Sequence, residues 1–193
     1  MNKDCIFQQN DIFIKWLIGI LGPVIIGSKP AEIISLPHRE KNHKIKLQRI
    51  KNCIKKCNKL SMKFFIYKNK STKIFIYNVK ALELYITDNK NLRFLEKLGY
   101  PKEYKLTIYV EYLLSKMKKG NLPHEIGIFL GYPLKDVIGF MGHPSLKLTK
   151  VSGWRIYGNP KLSDEKYKEI LTAKDKVKGL LKRFKPEEIL YVI

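Results

Sequence analysis

The spacing of apolar residues changes character along this chain, and that change constrains the fold more than anything else in the sequence. From His43 to Leu60, the residues Leu47, Ile50, Cys53, Ile54, Cys57 and Leu60 recur at helical intervals and share one face. Two runs rich in Phe, Ile and Tyr follow, Met62 to Tyr67 and Lys73 to Tyr77, separated by Lys68 to Thr72. They predict an antiparallel hairpin. Helical spacing then returns around Ala81 to Tyr85 and Leu92 to Leu98. It is clearest in Leu106, Tyr109, Val110, Leu113, Leu114 and Met117, a pattern that stops at Gly120.

The remaining segments extend this α+β reading, a mostly helical single domain over 1–193 with a small antiparallel sheet. Asp11 is placed to cap a first helix that Gly22-Pro23 ends. Lys29-Pro30-Ala31-Glu32 has the proline and the acidic residue expected of a helical first turn. Leu134 to Met141 predicts another short helix, and Val151 to Tyr157 a strand that could join the hairpin as a third member. Ser163, followed by Asp164 and Glu165, predicts the start of a long helix, and Pro186 opens a last short one. No linker divides the chain.

At 193 residues the chain is long enough to bury a core without staples. Its three cysteines, Cys5, Cys53 and Cys57, fit no disulfide framework and point to a reducing, cytoplasmic setting. The apolar stretch from Ile12 to Ile26 is interrupted by Lys15 and Gly22-Pro23, which argues against a membrane span or a secretory signal.

The net charge of +21 raises nucleic acid as a partner. Yet only Arg39, Arg49, Arg93, Arg155 and Arg183 are arginine. Lysine is a point charge without the planar fork that reads phosphates and bases, and its company of Ile, Asn and Tyr matches A/T-rich coding. The helix at 43–60 carries Lys44, Lys51, Lys55, Lys56 and Lys59 off its apolar face, so these lysines are the candidate contacts for nucleic acid.

One stretch concentrates unusual residues, Leu122 to Pro133, read Leu-Pro-His-Glu-Ile-Gly-Ile-Phe-Leu-Gly-Tyr-Pro. His124 and Glu125 form the only adjacent titratable pair in a strongly apolar setting. They are candidates for acid-base work or ligand binding. Neighbours on a helix point about 100° apart, however, so adjacency alone does not make them cooperate. Pro123 sets both near a helix start, where Glu125 suits the dipole. Gly131-Tyr132-Pro133 repeats Gly99-Tyr100-Pro101, which helix punctuation explains without a duplicated unit. Trp154 and Arg155, in Val151 to Tyr157, have the chemistry of an interface anchor or a stacking platform. Cys53 and Cys57, four apart on an apolar face, read as core, and no set of metal ligands or cofactor motif is evident.

Several of these segments together resemble an uncharacterised family of small, mostly clostridial-type proteins known only as a domain of unknown function. They are Ile25 to Ala31, Phe94 to Pro101, Pro123 to Phe140 and Gly153 to Gly158. The run His-Glu-Ile-Gly-x-Phe-Leu-Gly-Tyr-Pro is the most specific part. The resemblance implies no reaction, but it implies that His124, Glu125, Gly127, Gly131, Tyr132, Pro133 and Trp154 belong to one structural or binding feature. Family members commonly carry a cysteine before the tryptophan segment. Here Val151 and Ser152 stand there, so a thiol or metal role at that position does not carry over.

These readings favour a cytoplasmic binding or accessory protein over an enzyme. It would use the 122–133 corner, with His124, Glu125, Tyr132, Trp154 and Arg155 as candidate binding residues, toward a protein or small-molecule partner. The alternatives are nucleic-acid binding through the lysine-rich helix, and an enzyme or redox or iron accessory using His124 and Glu125 as an acid-base or ligand pair. No cofactor or metal is implied, and the oligomeric state is left open.

Overall fold

The computed structural model describes the backbone of residues 3–120 and 122–192 and the side chains of 12–120 and 122–191. The fold is α+β, built on a three-stranded antiparallel sheet with helices on both faces. Strands β1 (Ala31–Pro37), β2 (Leu60–Tyr67) and β3 (Ser71–Asn78) lie in the order β1-β3-β2. The β2–β3 hairpin closes through Lys68 and Asn69, both at positive φ, with the Lys70 amide donating to the Tyr67 carbonyl. Positive φ at both central residues is the turn that matches the twist of paired strands.

Because successive strand residues face opposite ways, the sheet separates two cores. Ile34, Leu36, Ile74, Ile76 and Leu60 face α1 (Lys3–Ile26), α2 (His43–Lys55), α8 (Lys161–Leu180) and the terminal turn α9 (Ile189–Val192). Ala31, Phe65, Phe75 and Tyr77 face a second layer. This is made of α3 (Val79–Ile86), α4 (Asn89–Lys97), α5 (Leu106–Lys118), α6 (Ile126–Phe129) and α7 (Leu134–Phe140). Beyond α7 a separate hairpin forms from β4 (Leu148–Ser152) and β5 (Trp154–Tyr157).

Five local expectations are corrected. The third strand of the main sheet is β1, not residues 151–157: Pro30 and Ala31 start a strand, and the Asn78 amide donates to the Pro30 carbonyl at 2.9 Å. Pairing along all of β3 outweighs the helix-start signal of a proline and a glutamate. Residues 151–157 instead belong to the β4–β5 hairpin, divided at Gly153.

The first helix does not start at Asp11 or end at Gly22-Pro23. It begins at Lys3 and runs through the proline to Ile26, and the Asp11 side chain lies outside the described residues. Leu17, Ile18, Leu21, Val24 and Ile25 form one buried face across the break, so packing overrides the lost backbone bond. Gly22 permits this: a Cβ there would stand 2.9 Å from Val177 Cβ on α8. The lysine-rich helix ends at Lys55, leaving Lys56 and Lys59 in the turn before β2. Ser163 does not cap α8, which starts two residues earlier, because its buried hydroxyl is committed to Asp136.

Candidate functional site

Two of the helix ends that shape the site use the same device. After α6, the Gly131 amide donates to the Ile128 carbonyl at 2.9 Å and the Tyr132 amide to the Gly127 carbonyl at 2.8 Å. After α4, Gly99 and Tyr100 bond the Glu96 and Leu95 carbonyls in the same way. Both are Schellman endings, with glycine in the left-handed conformation and the following tyrosine turned inward. The identical Gly-Tyr-Pro tripeptides thus share a geometry and diverge in use. Tyr100 enters the second core, whereas Tyr132 stacks on Trp154 at 4.8 Å with the rings 16° apart.

That stack is one wall of a cleft of about 510 Å³ between the 122–126 segment, α7 and β5. Ile126, Gly127, Val137 and Trp154 are among the apolar groups that line it, and Leu122 and Phe140 are exposed at its rim. His124 and Arg155 are both exposed lining residues. The His124 ring meets Phe140 edge-on at 5.1 Å, and the Arg155 guanidinium carbon lies 5.7 Å from the centre of the same Phe140 ring.

The keystone beneath the cleft is Asp136, only 2% exposed, which sequence reasoning did not single out. Its Oδ2 accepts from Trp154 Nε1 at 2.8 Å and Ser163 Oγ at 2.7 Å, and its Oδ1 from the Tyr157 amide at 2.9 Å and Lys135 Nζ at 2.7 Å. A carboxylate offers about four lone-pair sites, and here all are taken. Asp136 therefore ties α7, β5 and α8 together and fixes the Trp154 ring. The only sequence signal for it was its place in the first turn of a short helix.

Of the five candidate binding residues, His124, Tyr132, Trp154 and Arg155 line this cleft, and Glu125 does not. Glu125 is buried on the opposite side, where it accepts a hydrogen bond from Lys116 Nζ and a longer one from the Tyr100 hydroxyl at 3.4 Å. Burial, with the nearby Glu125 carboxylate, pushes the Tyr100 phenol well above the ordinary tyrosine range. The adjacent His-Glu pair is thus split between two environments. Tyr132 is pushed up to about 12, mainly by burial with a contribution from Glu32, and so stays protonated at neutral pH.

The candidate nucleic-acid lysines lie on α2 and in the turn that follows it. Lys44, Lys55, Lys56 and Lys59 are exposed. Lys51 lies over the Phe64 ring at 4.3 Å, and Lys56 is paired with Glu187. A groove of about 840 Å³ runs beside them, lined by Arg49, Lys55, Lys56 and Lys185 but also by Glu187 and Glu188. It is larger than the cleft, yet its charge is mixed. Cys53 and Cys57 are buried free thiols, and burial pushes Cys53 up to about 11, away from reactivity. Among the described residues no three His, Cys, Asp or Glu side chains gather as a metal set, and no helix is long and apolar enough to cross a membrane.

The comparison with known families decides the relationship. Residues 17–190 match the family described as "Protein of unknown function (DUF3793)". The chain belongs to this family. The match takes in the cleft, both Schellman corners and the Asp136 network, so these features lie within the family domain. No curated protein and no solved structure matches the chain.

Proposed function

We propose that this DUF3793 protein is a ligand-binding accessory protein whose cleft beside the 122–133 corner holds a small molecule without transforming it. The observation that carries the reading is convergence. Two separate stretches of the chain, 122–140 and 154–155, bring His124, Tyr132, Trp154 and Arg155 around one largely apolar cleft with few polar groups. Binding sites for small molecules have this make-up and fall in this size range.

Binding is favoured over turnover by how the carboxylates are used. Asp136 already accepts from four donors, and Glu125 is engaged by Lys116 and Tyr100 away from the cleft. Among the described residues His124 consequently has no carboxylate behind it to orient it as a base. A nucleic-acid role for the lysines around α2 is the second reading, favoured by the exposure of Lys44 and Lys55. It would give affinity that falls steeply with salt.

A fragment screen by ligand-observed NMR tests the leading reading. The expected hits lose binding in Tyr132→Ala and His124→Ala proteins that remain folded by circular dichroism. Hits that bind those variants unchanged would overturn it.

A further inference from the structure

We propose that the cleft selects an amphipathic carboxylate, a small molecule with an apolar ring or chain in the cleft and its carboxylate at the mouth, held by Arg155 with His124 beside it. The proposal rests on the reading of the cleft as a binding site and adds the chemical class of its ligand.

The polar groups of the cleft are sorted by depth. At the mouth stand a guanidinium and an imidazole, both within 6 Å of the centre of the Phe140 ring. Among the described residues neither has an ion pair or a hydrogen bond. Asp136, the carboxylate in the cleft lining, is already committed to four donors, and Glu125 is bonded to Lys116 outside the cleft. Among the described residues the mouth therefore offers donors and positive charge with no acidic partner.

The carboxylate of the lining, Asp136, is only 2% exposed and is already engaged by four donors. Trp154 spends its only donor on Asp136, so what it offers the cleft is its apolar ring. Tyr132 covers one face of that ring, and Ile126 and Val137 add aliphatic surface. A ligand polar at both ends would bury one end against this lining without a partner, at a cost. A neutral ligand would cover Arg155 and leave its fork unpaired.

The identity of the cation adds to the argument. In a chain whose positive charge is overwhelmingly lysine, arginine stands at the mouth, and its planar fork can grip both oxygens of a carboxylate. The guanidinium lies over the Phe140 ring and the residue is exposed, so the fork is open to solvent and ligand. The overall charge of +21 draws anions toward the surface from further away.

The test uses the full chain carrying Trp16→Phe, which leaves Trp154 as the sole tryptophan, and two probes that differ only in the head group, 4-phenylbutyrate and 4-phenylbutanol. Binding is read by Trp154 emission and by calorimetry. The expectation is that the butyrate perturbs Trp154 and binds about tenfold more tightly than the alcohol, the scale of one good charge-assisted contact. Arg155→Gln should bring the butyrate down to the level of the alcohol, and Arg155→Lys should restore part of the difference. Equal binding of both probes, unchanged in Arg155→Gln, overturns the carboxylate assignment and leaves the cleft as a binding site. If neither probe binds or moves the Trp154 signal, the cleft reading and the carboxylate assignment are both overturned.

Discussion

Replacing Asp136 with asparagine keeps the shape of the side chain and removes its charge and one of its two acceptor oxygens. The remaining oxygen can serve either the Trp154 and Ser163 donors or the Tyr157 and Lys135 donors. The new amide must then face the other two, donor against donor. Hydrogen bonds to a charged group are worth about 1.5–3 kcal/mol each. The Ser163 hydroxyl can rotate to accept from the amide, and Lys135, whose side chain is 23% exposed, can swing toward water. Those escapes bring the expected loss down to about 3 kcal/mol, a large share of the stability of an ordinary domain. Urea unfolding followed by far-UV circular dichroism measures it. In a Trp16→Phe background the near-UV signal of Trp154 should weaken as well, because the indole loses its anchor. A loss below about 0.5 kcal/mol, the size of a neutral surface change, with an unaltered Trp154 signal would refute the view that this carboxylate holds the site together.

Three further outcomes follow from the same packing. Glu125→Gln should cost about 1–2 kcal/mol by leaving Lys116 beside a half-satisfied buried group, yet leave cleft binding unchanged; His124→Ala should do the reverse, and chemical denaturation with a binding titration separates them. Gly22→Ala should destabilise by about 1–2 kcal/mol, because overpacking against Val177 exceeds the gain in helix propensity. Adding Val177→Ala should recover about 1 kcal/mol relative to the summed single losses, and a double-mutant cycle measures that coupling. Burial raises the Cys53 thiol from its ordinary 9.0 to about 11, so the folded state holds its proton where the unfolded state has lost it. Its contribution is complete below pH 9 and is lost as pH rises toward 11. A Cys53→Ala variant should therefore show a shallower decline in stability across that window.

The helices at 43–55 and 106–118 and the 60–78 hairpin were legible because each carries its own apolar periodicity. The errors arose where tertiary contacts outweighed local signals. Pro30 and Glu32 look like a helical first turn, but a complete antiparallel register with β3 claims that segment as a strand. Pro23 looks like a stop, but a buried face continues past it and Gly22 lets α8 come close. At the site, the residues that line the cleft are aromatic or charged and draw attention in sequence. Asp136 does not, because its importance lies in donors that arrive from β5 and α8, about twenty to thirty residues away along the chain. The split between His124 and Glu125 was foreshadowed by the angle between neighbouring residues, but which of them would face the cleft depended on Lys116 and Tyr100 waiting on the other side.

The most direct test of the binding cleft is a ¹⁵N and methyl chemical-shift map of the protein titrated with 4-phenylbutyrate. The Trp154 indole N–H, the Ile126 and Val137 methyls and the backbone of His124 and Arg155 should move together and saturate with one affinity. Shifts confined to the lysines around α2, or a cleft whose resonances stay still while the probe binds elsewhere, would contradict it.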